Sequence, residues 1–138
     1  MKPASSGDRR PVLLAALAAW AVAVPWLARA VGLPLDVATR LEVVDHVVPG
    51  LLVLVCCGLL LHPRTGGSSG SLPRLAMIGI GVLAGLWITA THAPLLPEAI
   101  DGASPWGPAL IHLSAGPPVT VAALWMLLTD SGPLTPSL

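Results

Sequence analysis

Four stretches of 19–23 residues, nearly empty of charge, decide what this chain can fold into: residues 12–31, 43–61, 75–93 and 107–129. A bilayer core of about 30 Å is crossed by roughly 20 residues of helix rising about 1.5 Å each, and every stretch is that long. Lipid offers a free N–H or C=O no partner, so the backbone must satisfy itself within each helix. The sequence therefore predicts an all-α membrane protein: a four-transmembrane-helix bundle built as one domain over residues 12–129. Hydrophobic residues make up 54% of the chain and charged residues 10%. Ordinary soluble domains carry roughly 25% charge, so lipid is the solvent this composition fits.

The flanks set the expected orientation. Residues 1–11, with Lys2, Arg9 and Arg10 among Ser, Gly and Pro, read as a disordered cytoplasmic tail, and residues 130–138 as a short C-terminal tail. Placing the N-terminus inside puts Lys2, Arg9, Arg10, Arg64 and Arg74 on the cytoplasmic side and leaves Arg29 and Arg40 outside, the bias that membrane insertion favours. Asp36, Glu42, Asp45, Glu98 and Asp101 fall outside. Both termini are then cytoplasmic, with Trp26 and Trp106 near the outer interface and Trp125 near the inner one. Six Arg against one Lys, no Phe or Tyr, and abundant Ala, Gly, Pro and Leu suggest a GC-rich bacterial genome, hence a multi-pass protein of the bacterial cytoplasmic (plasma) membrane. A rival reading takes residues 1–30 as a signal peptide with Ala28-Arg29-Ala30 as its cleavage frame. The long apolar stretch, Trp20, Pro25, Trp26 and the charge of Arg29 count against it.

Two spans share a weak pattern. His46-x-x-Pro49-Gly50 and His112-x-x-Ala115-Gly116 superimpose at an offset of 66, which also brings Trp20 beside Trp87. If this is duplication, the bundle is two helix-pair repeats about an axis along the membrane normal.

Several function classes drop out. Net charge is zero and the basic residues are scattered, so no nucleic-acid surface is expected. Cys56 and Cys57 are neighbours in an apolar run, not a C-x-x-C pair, and read as small buried hydrophobes. There is no phosphate-binding Gly loop and no G-x-S-x-G elbow.

What remains is histidine. Ionisable groups inside a membrane are costly and are functional candidates by default. His46 starts the second span, His92 ends the third and His112 lies one turn into the fourth, so all three fall at similar depth in the outer half. Each shares a helix face with small residues: Glu42, His46, Gly50, Val53 and Cys57; Gly81, Gly85, Thr89 and His92; His112, Gly116, Thr120 and Ala123. His62 stands apart, at the inner end of the second span. His46, His92 and His112, with Glu42, are the candidate ligands for a transition metal (Zn, Cu or Fe), or two of the histidines for haem. Glu42 and Asp45 are the candidate acid–base groups if the chain is instead an enzyme acting on a lipid-like or isoprenoid substrate, with Trp20 or Trp87 lining its pocket. A third reading is an accessory subunit of a larger membrane complex. The Gly81-x-x-x-Gly85 spacing offers a face for helix packing, for a membrane partner or for self-association.

Overall fold

The structure, a computed structural model, describes residues 9–30, 41, 43–62 and 68–131. Its elements are α1 (Arg10–Ala30), a π-helical turn (Val43–Val47) that runs into α2 (Val48–Leu61), α3 (Leu72–His92), α4 (Leu95–Ile100), α5 (Trp106–Leu113) and α6 (Gly116–Asp130). Four helical stretches among these residues are long and apolar enough to cross a membrane: Arg10–Leu27, Val44–Leu61, Leu72–Ile100 and Trp106–Asp130.

Prolines shape each entry. Pro11 and Pro73 sit in the first turns of α1 and α3, where no intrahelical N–H bond is required. Pro49 is the second residue of α2. Its ring crowds the carbonyl four residues back and it has no hydrogen to donate; the wider π turn over Val43–Val47 accommodates both. The fourth span, expected as one helix over 107–129, is broken at Ser114–Ala115. Pro117 and Pro118 cannot donate to the preceding turn, so the helix stops and restarts at Gly116. The expected loop over 94–106 holds the short helix α4. Asp130, assigned to a C-terminal tail, is instead the last residue of α6, and Arg74, assigned to a loop, lies inside α3.

Small residues face inward. On α1 the buried line is Leu14, Ala18, Ala21 and Val24, the three-and-four spacing of one helical face. One cluster joins Leu14 and Ala18 with Val53, Cys57, Leu60, Ile78, Val119, Ala123 and Met126; a second joins Ala21, Val24, Ile88 and Ala115. Leu51, Val55, Leu83, Leu86, Val121, Leu124 and Leu128 point away from the bundle and are exposed. A surface so apolar around its circumference is matched to hydrocarbon.

Glycines bring the backbones together. A Cβ at Gly50 would fall 2.5 Å from Val22, so α2 crosses α1 in close contact. A Cβ at Gly85 would fall 2.6 Å from the Thr120 backbone nitrogen, and one at Gly116 would fall 2.6 Å from that of Thr89. The α3–α6 crossing is thus reciprocal. Gly81, whose Cβ would meet Ala123 at 3.2 Å, continues it. The Gly81/Gly85 face packs against α6 of the same chain.

Polar groups mark the two ends. At one end Arg74 Nε donates to Asp130 Oδ2 at 2.5 Å, Ser69 Oγ donates to Asp130 Oδ1 at 3.1 Å, and Arg10 Nη2 lies 3.4 Å from that same oxygen. Arg10 Nη1 also donates to Thr129 Oγ1 at 2.6 Å. The start of α1, the start of α3 and the end of α6 therefore meet, and the first span begins where the last one ends. The histidines gather at the opposite end.

Candidate metal centre

Each histidine sits at an irregularity of its own helix. The π turn places His46 on the inner face of the second span, fully buried. His92 is the last residue of α3, and His112 lies one residue before the end of α5, just ahead of the break; they are 7% and 2% exposed. Burying three imidazoles in an apolar bundle is costly unless their nitrogens find partners, and here they find one another.

His46 Nε2 lies 3.2 Å from His92 Nε2 and 3.1 Å from His112 Nδ1. One ligand nitrogen from each ring can be chosen so that all three lie within 4.8 Å of one another. The rings of His46 and His92 are 4.4 Å apart at their centroids, and those of His92 and His112 are stacked at 4.5 Å with 8° between planes. Two ligands bound tetrahedrally to zinc at about 2.0–2.1 Å stand roughly 3.3 Å apart, close to the two short separations here. The stacked pair is the exception: an ion cannot lie in both of two parallel ring planes, so coordination by all three requires His92 or His112 to turn about its ring torsion.

Hydrogen bonding favours a lone pair at the centre. His92 Nδ1 is 2.9 Å from the Ile88 carbonyl and 3.0 Å from Thr91 Oγ1. A carbonyl only accepts, so His92 donates from Nδ1 and presents an unprotonated Nε2 to His46. This is the outer-shell arrangement that fixes the tautomer of metal-ligating histidines. His46 Nε2 carries at most one hydrogen, yet faces two nitrogens. A single N–H cannot make full bonds to both, and the convergence is richer in lone pairs than in protons. The cluster could hold a metal ion.

Among the described residues no carboxylate joins it. Asp45 lies within the π turn beside His46, is half-buried and is not one of the three clustered residues. Glu42 lies outside the described residues. Glu98 and Asp101 are exposed, Glu98 accepting from Ser104 Oγ at 3.4 Å. Haem held between two of these histidines does not fit this arrangement: opposed axial ligands must leave a macrocycle's thickness between them, whereas these rings touch. His62 is exposed at the other end of α2, and Cys56 and Cys57 are buried free thiols.

A groove of about 400 Å³ does lie between α2 and α3, lined by Val44, Val48, Pro49, Leu52, Ile80, Leu83, Ala84 and Trp87. Its described lining is apolar and includes none of the histidines. Trp20 is elsewhere: its Nε1 donates to Ser114 Oγ at 3.0 Å across the break in the fourth span.

Sequence reasoning missed the Asp130 network. Asp130 is a lone acid at the end of an apolar run, and a residue one position past a span looks like tail. No protein-family model, no curated protein and no solved structure matches this chain. Fold and site alone define its class: an all-helical chain with four candidate membrane spans and a buried three-histidine cluster able to hold a metal ion.

Proposed function

We propose that this chain is a multi-pass plasma-membrane protein that binds one transition-metal ion through His46, His92 and His112. The reading rests on one observation: three buried imidazoles, carried by three separate spans, converge with two nitrogen–nitrogen separations of 3.1 and 3.2 Å. Imidazole nitrogen suits Zn, Cu, Ni and Fe, and the helix ends that supply the ligands are held by the Gly85/Gly116 crossing beneath them.

The basic residues support an orientation with both termini cytoplasmic and the cluster in the outer half of the bilayer. The matched helix interruptions at His46-x-x-Pro49-Gly50 and His112-x-x-Ala115-Gly116 support a bundle built of two helix-pair repeats.

The test is elemental analysis of the purified protein after incubation with Zn²⁺, Co²⁺, Cu²⁺ and, without oxygen, Cu⁺. One equivalent of at least one ion is expected, lost in His46→Ala and His112→Ala and kept in His62→Ala. Uptake of none of them, or uptake indifferent to His46 and His112, refutes the reading. For orientation, a green fluorescent protein fused after Leu138 should fluoresce; a dark fusion with full-length expression reverses it.

A further inference from the structure

Resting on the metal-site reading, the cluster's charge balance points to a narrower ligand. We infer that the site selects a monovalent, soft cation, Cu⁺, over the divalent ions of the same donor class.

Three neutral imidazoles contribute no charge. Among the described residues no carboxylate and no thiolate joins them: Asp45 stays outside the cluster, and Cys56 and Cys57 lie ten and eleven residues further along the second span, about 15 Å away at the helical rise. The other charged network, Asp130 with Arg74 and Arg10, is at the far end of the bundle. Among the described residues nothing offsets the charge of an ion bound in this buried, apolar setting. The self-energy of an ion in a low-dielectric medium grows with the square of its charge, so a divalent ion pays about four times the penalty of a monovalent one. Zinc sites meet this cost with thiolate or carboxylate ligands, or with hydroxide in an open fourth position, and that position must be reached by water. Here His46 is fully buried and His112 is 2% exposed. Among monovalent cations, those that accept nitrogen ligands are soft; alkali ions seek oxygen. Three donors without a fourth also suit the low coordination numbers of Cu⁺.

The experiment uses the full-length protein in detergent. Cu⁺ is titrated without oxygen against a chromogenic chelator, Ag⁺ serves as a redox-inert monovalent probe, and Zn²⁺ is titrated in parallel. Cu⁺ and Ag⁺ should each bind at one equivalent, at least about 100-fold more tightly than Zn²⁺, a difference of about 2.7 kcal/mol. X-ray absorption of the Cu⁺ form should show nitrogen ligands only. Cys56→Ser/Cys57→Ser and Glu42→Gln should both retain Cu⁺ binding, whereas His46→Gln, checked for retained helicity, should lose it. Zn²⁺ binding as tight as Cu⁺ overturns the inference but leaves the metal site standing. Loss of Cu⁺ binding in the cysteine variant, or in Glu42→Gln, overturns it too. Binding of neither class of ion overturns both.

Discussion

Gly85 ties the fold to the cluster, and Gly85→Ala tests that tie. The added methyl would stand 2.6 Å from the backbone nitrogen and 2.9 Å from the Cα of Thr120, where ordinary contact begins at 3.4 Å. The obstacle is backbone, so no rotamer change relieves it, and α6 must withdraw from α3 by about 0.8 Å. Gly85, Ile88 and His92 follow one another along the buried face of α3, while His112 precedes Gly116 by one turn. Withdrawal therefore separates His92 from His112. Overpacking a close crossing costs about 1–3 kcal/mol. A metal site tolerates errors of only about 0.2 Å in its ligand distances, and disturbing the support of such a site typically lowers affinity about 10- to 100-fold. Stability is read by reversible unfolding in mixed micelles with increasing dodecyl sulfate, followed by circular dichroism, and affinity by metal titration of the same sample. Gly58→Ala and Gly79→Ala are the controls, because a Cβ at either position meets nothing within 4 Å; each should be neutral or stabilise its helix by up to about 1 kcal/mol. If Gly85→Ala behaves like Gly58→Ala in both assays, the close crossing does not govern the cluster.

Three other outcomes follow from the same structure. Asp130→Asn removes the carboxylate that pairs with the buried Arg74 guanidinium, 9% exposed, and should cost up to about 3–5 kcal/mol, while Asp130→Leu with Arg74→Met should recover most of that in the same micelle assay; equal losses in both variants would show that the ion pair is not what matters. Metal affinity should hold between about pH 8 and 6 and fall only in stronger acid, because protons compete for the lone pairs that bind the ion but charging a buried ring is costly; a steep loss already between about pH 8 and 6 contradicts ligation by the buried imidazoles. Trp20→Phe removes the bond to Ser114, which lies at an exposed position, and should change stability by less than about 1 kcal/mol; a larger loss would mean that this bond holds the break in the fourth span.

The spans were legible because lipid imposes a rule on length and polarity that any stretch such as 75–93 states openly. Their inner faces were legible too: Gly81, Gly85 and His92, at three-and-four spacing, face the interior here. Interruptions were only half legible. Pro117 and Pro118 announce a disturbance, but whether a helix bends or stops depends on what holds the freed carbonyls, and here Ser114 Oγ donates to the Ile111 carbonyl at 2.6 Å and closes the end of α5. The Asp130 network was illegible for a different reason. Pairing Asp130 with Arg74, 56 residues away, needs the knowledge that α3 and α6 touch, and that contact is written in Gly85 and Gly116, not in any charge pattern. The same applies to Asp45: its neighbour in sequence is a cluster member, but a helix turns successive residues to different faces.

The backbone irregularities are the strongest link between this sequence and its site. A straight helix through residue 46 would follow the regular hydrogen-bond ladder past Pro49, which Pro49 forbids; the π turn that results re-aims His46 within a single turn. The fourth span is interrupted just after His112, and the third simply ends at His92. Three helices thus depart from regularity at the same level of the bundle, while the opposite level, around Ile78 and Met126, stays regular and apolar. Departures of this kind cost hydrogen bonds inside a membrane, where none are to be spared, and π turns are found most often at functional sites. A bundle needing only to pack could have run straight through that level with leucine in place of histidine. A cation shared by the three nitrogens, as proposed, would add to the contacts they already make with one another at that level.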